Sequence, residues 1–164
     1  MTDIAVRLAE AEDWPQIWPI VEAVVRAGET YAYPRDLSCD VAHDLWMVQP
    51  PGTTLVAVDG QTVLGSAKIV HNHGGPGAHV ANASFMVSPL ARGRGVGRLL
   101  GLSALDQART QGFRSMQFNA VVAANRVAVR LWLSLGFEIV GTVPEAFDHP
   151  QQGLVGLHIM HRRL

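Results

Sequence analysis

The segment from Arg92 to Arg98 (RGRGVGR) places glycines and arginines together between an apolar strand and an amphipathic helix. Glycine allows positive φ angles and a close approach of the backbone to a ligand. Free N–H groups at the start of a helix converge on one point and bind anions such as phosphate. Arg92, Arg94 and Arg98 add positive charge at the same place. The segment could also be only a tight turn before a helix. Because glycines and arginines occur together in it, the segment predicts an anion site.

Two of the four asparagines interrupt strands that are otherwise apolar, Asn82 in HVANASFMV and Asn119 in MQFNAVV. Asparagine is depleted in strands, and a buried amide must find hydrogen-bond partners. One such residue is typical of a core amide bonded to other protein groups. Two of them, both on strands beside the predicted ligand site, favour a polar substrate pocket.

Two tyrosines and two histidines lie in predicted loops and are weaker candidates. Tyr31 and Tyr33 follow the first predicted helix, and they either line a substrate pocket or pack against one another in the loop. His71 and His73 have no cluster of carboxylates or cysteines near them in sequence, so no metal site is predicted.

The charge balance limits the partners that this chain can bind. It has 164 residues, with 13 Lys and Arg against 14 Asp and Glu, a formal net charge of −1. Nucleic-acid and membrane-surface binders normally carry a basic excess, so neither partner is expected. Only 16% of residues are charged and 48% are hydrophobic, which indicates a folded chain. Because no signal peptide or spanning helix is evident, we expect one cytoplasmic domain over residues 1–164.

The hydrophobic pattern predicts the element order β-α-α-β-β-β-α-β-α-β-β, which indicates an α/β (α+β) domain. Asp13 and Ser38 are candidate helix N-caps, and Asp59–Gly60 is a hairpin turn. The predicted strands are Ile4–Leu8, Thr53–Val58, Thr62–Val70, His79–Val87, Met116–Val121, Phe137–Val143 and Val155–Arg162. The predicted helices run from Asp13 to Gly28, from Ser38 to about Val48, from about Val96 to Gln111 and from Ala124 to Leu135.

Two motifs, which include the glycine-rich segment, resemble a family pattern. The first reads Val87-x-Pro89-x-x-Arg92-x-x-Gly95-x-Gly97, and the second reads Asn125-x-x-Ala128-x-x-x-Trp132-x-x-x-Gly136-Phe137. In this order they resemble motifs of the GNAT superfamily of acetyl-CoA-dependent N-acetyltransferases. The resemblance implies a mixed, mostly antiparallel sheet of about seven strands flanked by four helices, in which the fourth and fifth strands splay apart.

The resemblance also implies acetyl-CoA as cosubstrate, without a metal. The glycine-rich turn would hold the pyrophosphate, and backbone groups of the fourth strand would pair with the pantetheine arm. One backbone N–H there would hold the thioester oxygen, an oxyanion-type interaction. The residues that the resemblance assigns to the cofactor are Phe85, Met86, Val87, Arg92, Gly93, Arg94, Gly95, Val96, Gly97, Arg98, Asn125 and Trp132.

Trp132 departs from the family pattern, because it stands where a tyrosine usually acts as general acid. An indole N–H cannot protonate a leaving thiolate at neutral pH. Losing a general acid ordinarily costs about 10²–10⁴-fold in rate. The cost is smaller for a thiol of pKa ~8.5, which leaves tolerably as the anion. Either another group donates the proton or none does.

The patterns around Asn82 and Asn119 resemble a GNAT branch of fungal and bacterial enzymes that acetylate proline analogues such as azetidine-2-carboxylate. In that branch the matching asparagines serve substrate binding and catalysis, and the phosphinothricin and amino-acid acetyltransferases remain an open alternative. We therefore expect acetyl transfer to a small amino-acid-like amine by direct attack in a ternary complex, with Tyr31 and Tyr33 as substrate contacts. The alternatives are a protein or peptide N-terminal acetyltransferase and a non-catalytic acyl-CoA-binding module. A homodimer is compatible with the resemblance.

Overall fold

The computed structural model describes residues 3–164, and its elements follow the predicted order. The strands are β1 (Ala5–Leu8), β2 (Thr53–Asp59), β3 (Thr62–His71), β4 (Val80–Val87), β5 (Ser115–Val122), β6 (Glu138–His149) and β7 (Gly153–Arg163). The helices are α1 (Trp14–Ala27), α2 (Cys39–Trp46), α3 (Val96–Thr110) and α4 (Arg126–Ser134). The predicted domain 1–164 begins two residues before the described part.

All seven strands form one sheet in the order β1-β2-β3-β4-β5-β7-β6. Every neighbouring pair is antiparallel except β4 and β5, which run parallel. The β4–β5 pair also has the fewest paired residues, since only Val80–Ala81 pair with Ser115–Met116. Beyond Ala81 the two strands diverge. The mixed sheet, the four helices and the splay between the central strands confirm the predicted fold class.

Both faces of the sheet are covered, which explains why β2 is apolar without alternation. Leu55 and Ala57 pack on one face with α3, whereas Val56 and Val58 pack on the other with α1. Since successive strand residues point to opposite faces, a strand between two helical layers buries both sets. Six consecutive residues of β2 are buried as a result.

Three local predictions have different outcomes. Ser38 caps α2 as predicted, since its hydroxyl accepts from the Val41 N–H at 3.4 Å. Asp13 makes no side-chain cap; its carboxylate instead pairs with Arg7 and accepts the Glu10 N–H at 2.8 Å. Strand β6 extends to His149, six residues further than predicted, because its register with β7 shifts in a bulge after Val143 and pairing resumes at Phe147.

Candidate active site

A cavity of about 370 Å³ opens where β4 and β5 diverge. The two strands form its sides, the loop after α1 covers it from one face, and the start of α4 closes it from the other. The cavity brings together nine of the residues selected from the sequence: Tyr31, Tyr33, Asn82, Phe85, Met86, Val87, Asn119, Asn125 and Trp132. The residues predicted to contact the substrate therefore line the same cavity as those predicted to contact the cofactor on β4 and near the start of α4. The residues from Arg92 to Arg98 lie outside this cavity.

The backbone of β4 alternates between two neighbours. The Ser88 N–H donates to Leu64 O and the Asn72 N–H donates to Val80 O, both at 2.8 Å. In an antiparallel ladder every second residue bonds to the same partner strand, so the even-numbered residues of β4 bond to β3. The N–H and C=O groups of Ala83, Phe85 and Val87 consequently face the splay. The backbone groups of Met86 face β3, so this residue contributes only its side chain to the cavity wall.

Tyr31 reaches across the cavity to one of these backbone positions. Its hydroxyl accepts the Phe85 N–H at 2.8 Å and donates to the Phe85 C=O at 2.8 Å. The ring stacks on Tyr33, with 5.7 Å between centroids and 2° between planes. Burial raises the pKa of the Tyr31 phenol well above its usual range, and burial also raises the pKa of Tyr33. Tyr31 is therefore a neutral phenol fixed at the opening between the strands.

Asn119 lies at the rim of the cavity in a chain of three amides. Gln117 Nε2 donates to Asn119 Oδ1 at 2.9 Å, and Asn119 Nδ2 donates to Asn72 Oδ1 at 2.7 Å. The chain ends at Asn72 Nδ2, which is buried and has no hydrogen-bond partner among residues 3–164. Sequence reasoning selected Asn119 but missed Asn72 and Gln117. Gln117 and Asn119 share a face because they lie two residues apart on β5, a signal that strand periodicity provides. Asn72 lies 47 residues from Asn119, and the sequence pattern does not specify that contact.

The glycine-rich turn builds the start of α3. Gly93 and Gly95 both have φ of 75°, and a Cβ at either position would meet nothing within 4 Å. The first intrahelical bond runs from Leu99 N–H to Gly95 O at 3.0 Å, so the preceding amides lie at the open end of the helix. A Cβ at Gly97 would contact Val87 at 3.9 Å, so the turn lies directly beyond the end of β4. An anion at this helix end would sit next to the cavity.

The three arginines of the turn differ in their surroundings. Arg94 forms an ion pair with Asp59 at 2.7 Å, and Arg98 donates to Ser134 Oγ at 3.0 Å. Arg92 is exposed at the start of the turn. The ion pair with Asp59 offsets the charge of Arg94, so the backbone amides and Arg92 would contribute more to binding an anion here than a count of arginines suggests.

Trp132 and Asn125 connect α4 to the cavity. Trp132 is only 7% exposed, and its ring lies 4.6 Å from Phe85 and 4.9 Å from Phe118 between centroids. Trp132, Phe85 and Phe118 therefore form a cluster of aromatic rings that lines the cavity. Asn125 caps α4, because its Oδ1 accepts the Ala128 N–H at 3.3 Å. Its Nδ2 is the group that would donate a hydrogen bond to a carbonyl oxygen of a cofactor.

The lining of the cavity is neutral. Among the described residues, those that line it include no Asp, Glu, Lys, Arg, His or Cys, and Tyr31 and Tyr33 are its titratable groups. A search of residues 3–164 finds no group of three His, Cys, Asp or Glu placed to hold a metal ion. In the same part of the chain, no helix is both long and apolar enough to cross a membrane.

Comparison with known proteins places this geometry in a family. Residues 11–137 match the acetyltransferase (GNAT) family. The structure of a GCN5-related N-acetyltransferase from Kribbella flavida is 58% identical, with a TM-score of 0.96 over 98% of each chain. A phosphinothricin acetyltransferase from Sinorhizobium meliloti, solved in complex with AcCoA, is 24% identical, with a TM-score of 0.88 over 100% of this chain and 89% of its own. At that identity the likeness shows the fold alone.

A curated relative agrees with this assignment. N-acetyltransferase aca1 of Schizosaccharomyces pombe is 37% identical over 97 residues, which are 58% of this chain. The chain spans about half the length of that relative, since the match covers 46% of it. The family match includes both motifs read from the sequence, the glycine-rich turn before α3 and the segment from Asn125 to Phe137. The chain belongs to the GNAT family of acetyltransferases.

Proposed function

We propose that the chain transfers the acetyl group of acetyl-CoA to the amine of a small amino-acid-like substrate, a proline analogue or a close relative. The observation that carries this proposal is the neutral lining of the cavity, in which amides and phenols replace charged side chains. A polycationic acceptor would favour an acidic groove, and the cavity has no acidic side chain among its described lining residues. A small zwitterion needs only a few amide contacts and a volume of this size.

The cofactor would run from the glycine-rich turn into the splay. The open amides before Leu99 would hold the pyrophosphate, together with Arg92. The pantetheine arm would pair with the outward backbone groups of Val87, and Asn125 Nδ2 would donate to it. This arrangement places the thioester near Phe85, beside Trp132. A phosphinothricin acetyltransferase of the same fold was solved in complex with AcCoA, which supports acetyl-CoA as the cosubstrate.

The acceptor would lie between the rims of β4 and β5. Asn82 and Asn119 would bind its carboxylate or amine, and Tyr33 would cover it from the loop. The free amine attacks the thioester carbon directly, the C–N bond forms, and the C–S bond breaks. Thiols are acidic enough (a cysteine thiol has a pKa of ~8.5) for the thiolate of CoA to leave without a side-chain acid from α4. The amine loses its proton to water at the open mouth of the site.

A substrate panel tests this proposal. Free amino acids, cyclic imino acids including azetidine-2-carboxylate, phosphinothricin and short peptides are each incubated with acetyl-CoA, and thiol release is followed. We expect the highest kcat/KM on a small free amino or imino acid. Preference for peptides would instead support an N-terminal acetyltransferase. Tight acetyl-CoA binding without turnover on any amine would indicate a non-catalytic acyl-CoA-binding module.

The remaining sequence predictions belong to the same proposal. A single domain over residues 1–164 and a homodimer are both compatible with it. Light scattering of the purified chain at several concentrations measures the oligomeric state, and a mass that stays at the monomer value would reject the dimer.

A further inference from the structure

We propose that the Tyr31 hydroxyl donates a hydrogen bond to the acetyl oxygen of bound acetyl-CoA and stabilises the negative charge that forms there during transfer. This inference rests on the proposed function, which places the thioester at Phe85 in the splay. It assigns Tyr31 a catalytic role in place of a simple lining role. It also changes which group is expected to hold the thioester oxygen.

The first step is that the Phe85 N–H already has a partner. The register directs the N–H and C=O of Phe85 away from β3 and into the splay, where a cofactor would approach. The Tyr31 hydroxyl occupies both groups at 2.8 Å. A thioester oxygen arriving at this point meets the phenol before it meets the backbone. The donor that the protein presents there is therefore the O–H of Tyr31.

The second step is that Tyr31 is held in place. Its loop begins at Gly28, where φ is 65°, and the Arg35 side chain folds over this glycine. Arg35 Nε donates to Arg26 O at 2.8 Å, which ties the loop back to the end of α1. The ring of Tyr31 is stacked on Tyr33 and packs against the core cluster beneath α1. A donor fixed in advance costs no reorganisation when charge develops, the property that makes oxyanion sites effective.

The third step is chemical. The amine lone pair forms the C–N bond while the carbonyl π electrons move to oxygen, and the Tyr31 O–H turns from the Phe85 C=O to that oxygen. The electrons return as the C–S bond breaks and the sulfur leaves with the bonding pair. Tyr31 keeps its proton throughout, and the amine proton goes to water. The Phe85 N–H continues to donate to the phenol oxygen, which strengthens the phenol as a donor.

The experiment compares the wild-type protein with Tyr31→Phe, and with Thr110→Ala as a control that removes an exposed hydroxyl at the end of α3. Calorimetry gives the Kd of acetyl-CoA, and the best amine of the panel gives kcat. We expect kcat to fall about 10²-fold in Tyr31→Phe, the usual effect of losing one oxyanion donor, with the Kd changed less than about threefold. Unchanged kcat would overturn the proposal. Tighter acetyl-CoA binding with equal or higher kcat would also overturn it, since the hydroxyl would then be an obstacle that the cofactor displaces.

A spectroscopic measurement separates this inference from the choice of substrate. The infrared band of acetyl-CoA labelled with ¹³C at the thioester carbonyl is recorded bound to each protein, without amine. Donation from Tyr31 predicts a lower carbonyl frequency in the wild type than in Tyr31→Phe, and identical bands would reject it. If Tyr31→Phe does not fold, 3,5-difluorotyrosine at position 31 retains both bonds and should lower the frequency further, because the phenol is more acidic. Absence of acetyl-CoA binding by the wild-type protein would reject the proposed function itself.

Discussion

Two of the four hydrogen-bonding groups of the Asn119 amide are occupied by other side chains. A side-chain amide has two donors and two acceptor lone pairs. Gln117 occupies one lone pair of Asn119 and Asn72 receives one of its N–H groups, which leaves one acceptor and one donor. Those two remaining groups suffice for a carboxylate or an amine, and the neighbouring amides fix their direction. Asn119 is therefore the middle member of three hydrogen-bonded side-chain amides.

Replacing Asn119 by alanine should lower kcat/KM on the best amine of the panel by about 3–10-fold. This is the effect of one neutral hydrogen bond of about 0.5–1.5 kcal/mol. The Kd of acetyl-CoA should stay the same, because the proposed cofactor contacts lie at the glycine-rich turn and β4. Gln152→Ala, which removes an exposed amide from the β6–β7 turn, is the matched control. Equal kcat/KM for wild type and Asn119→Ala would show that Asn119 does not contact the acceptor.

Asp13 is a second residue whose role differs from its prediction, since it anchors β1 instead of capping α1. Its side chain is 8% exposed, that of Arg7 is 43% exposed, and both guanidinium–carboxylate contacts are under 3 Å. The hydrogen bond from Arg7 is the main cause that lowers the pKa of Asp13 below 3.8, against a smaller opposing effect of burial. A lowered folded-state pKa means that the ion pair stabilises the fold above about pH 3.8 and that this stabilisation is lost as the pH falls.

Asp13→Asn should lower the free energy of unfolding at pH 7 by about 1–3 kcal/mol, less than for a fully buried pair because Arg7 is partly solvated. The difference from wild type should shrink as the pH is lowered through the folded-state pKa of Asp13, where the wild-type carboxylate also loses its charge. Urea unfolding at a series of pH values between 7 and 2.5 measures this. A difference that is constant over the whole range would contradict the assignment.

At the level of elements, helix α3 has an unusual symmetry, because a glycine with positive φ lies at each end. Gly95 precedes it with φ of 75°, and Gly112 follows it with φ of 85°. A Cβ would have open space at both positions, so an alanine at either one costs backbone strain without a steric clash. Only the first glycine lies at the helix end where free N–H groups converge. Alanine substitutions at the two positions therefore distinguish an effect on fold stability, which both should share, from an effect on anion binding, which only Gly95 should show.

Gly95→Ala and Gly112→Ala should each lower the free energy of unfolding by about 1–2 kcal/mol, the cost of a left-handed conformation for a residue with a Cβ. Only Gly95→Ala should weaken acetyl-CoA binding, by about tenfold or more, the equivalent of one hydrogen bond to a charged group. Urea unfolding and calorimetric titration measure the two effects. Equal losses of affinity in both variants would place the pyrophosphate away from the start of α3.

At the level of the whole molecule, the sequence predicts the turns and helix ends that depend on one or two neighbouring residues. Asp59–Gly60 marks the β2–β3 hairpin and Gly28 the end of α1, because a turn or a helix end needs those residue types at that position. The end of β6 lies six residues beyond the predicted end at Val143, because its register with β7 shifts in a bulge there. In the structure the bulge and the positive φ of Glu145 keep the strand paired with β7.

Nine of the residues selected from the sequence line the cavity, whereas the selected residues from Arg92 to Arg98 lie outside it. Three side-chain hydrogen bonds in and around the candidate site join positions that are far apart in the sequence. Tyr31 and Phe85 are 54 residues apart, Asn72 and Asn119 are 47 apart, and Arg94 and Asp59 are 35 apart. Such contacts depend on strand register and loop position, which hydrophobic periodicity does not specify.

The two-sided backbone of β4 has a consequence for amide hydrogen exchange. The N–H groups of Ser84 and Met86 belong to the β3 ladder, whereas those of Ala83 and Val87 point into the splay. Without cofactor, slow and fast exchange should therefore alternate along β4, with the Phe85 amide slowed by Tyr31. Acetyl-CoA should slow Val87 and leave Ser84 unchanged, a pattern that heteronuclear NMR resolves residue by residue. Uniform protection along β4 would show that its outer edge is already closed before the cofactor arrives.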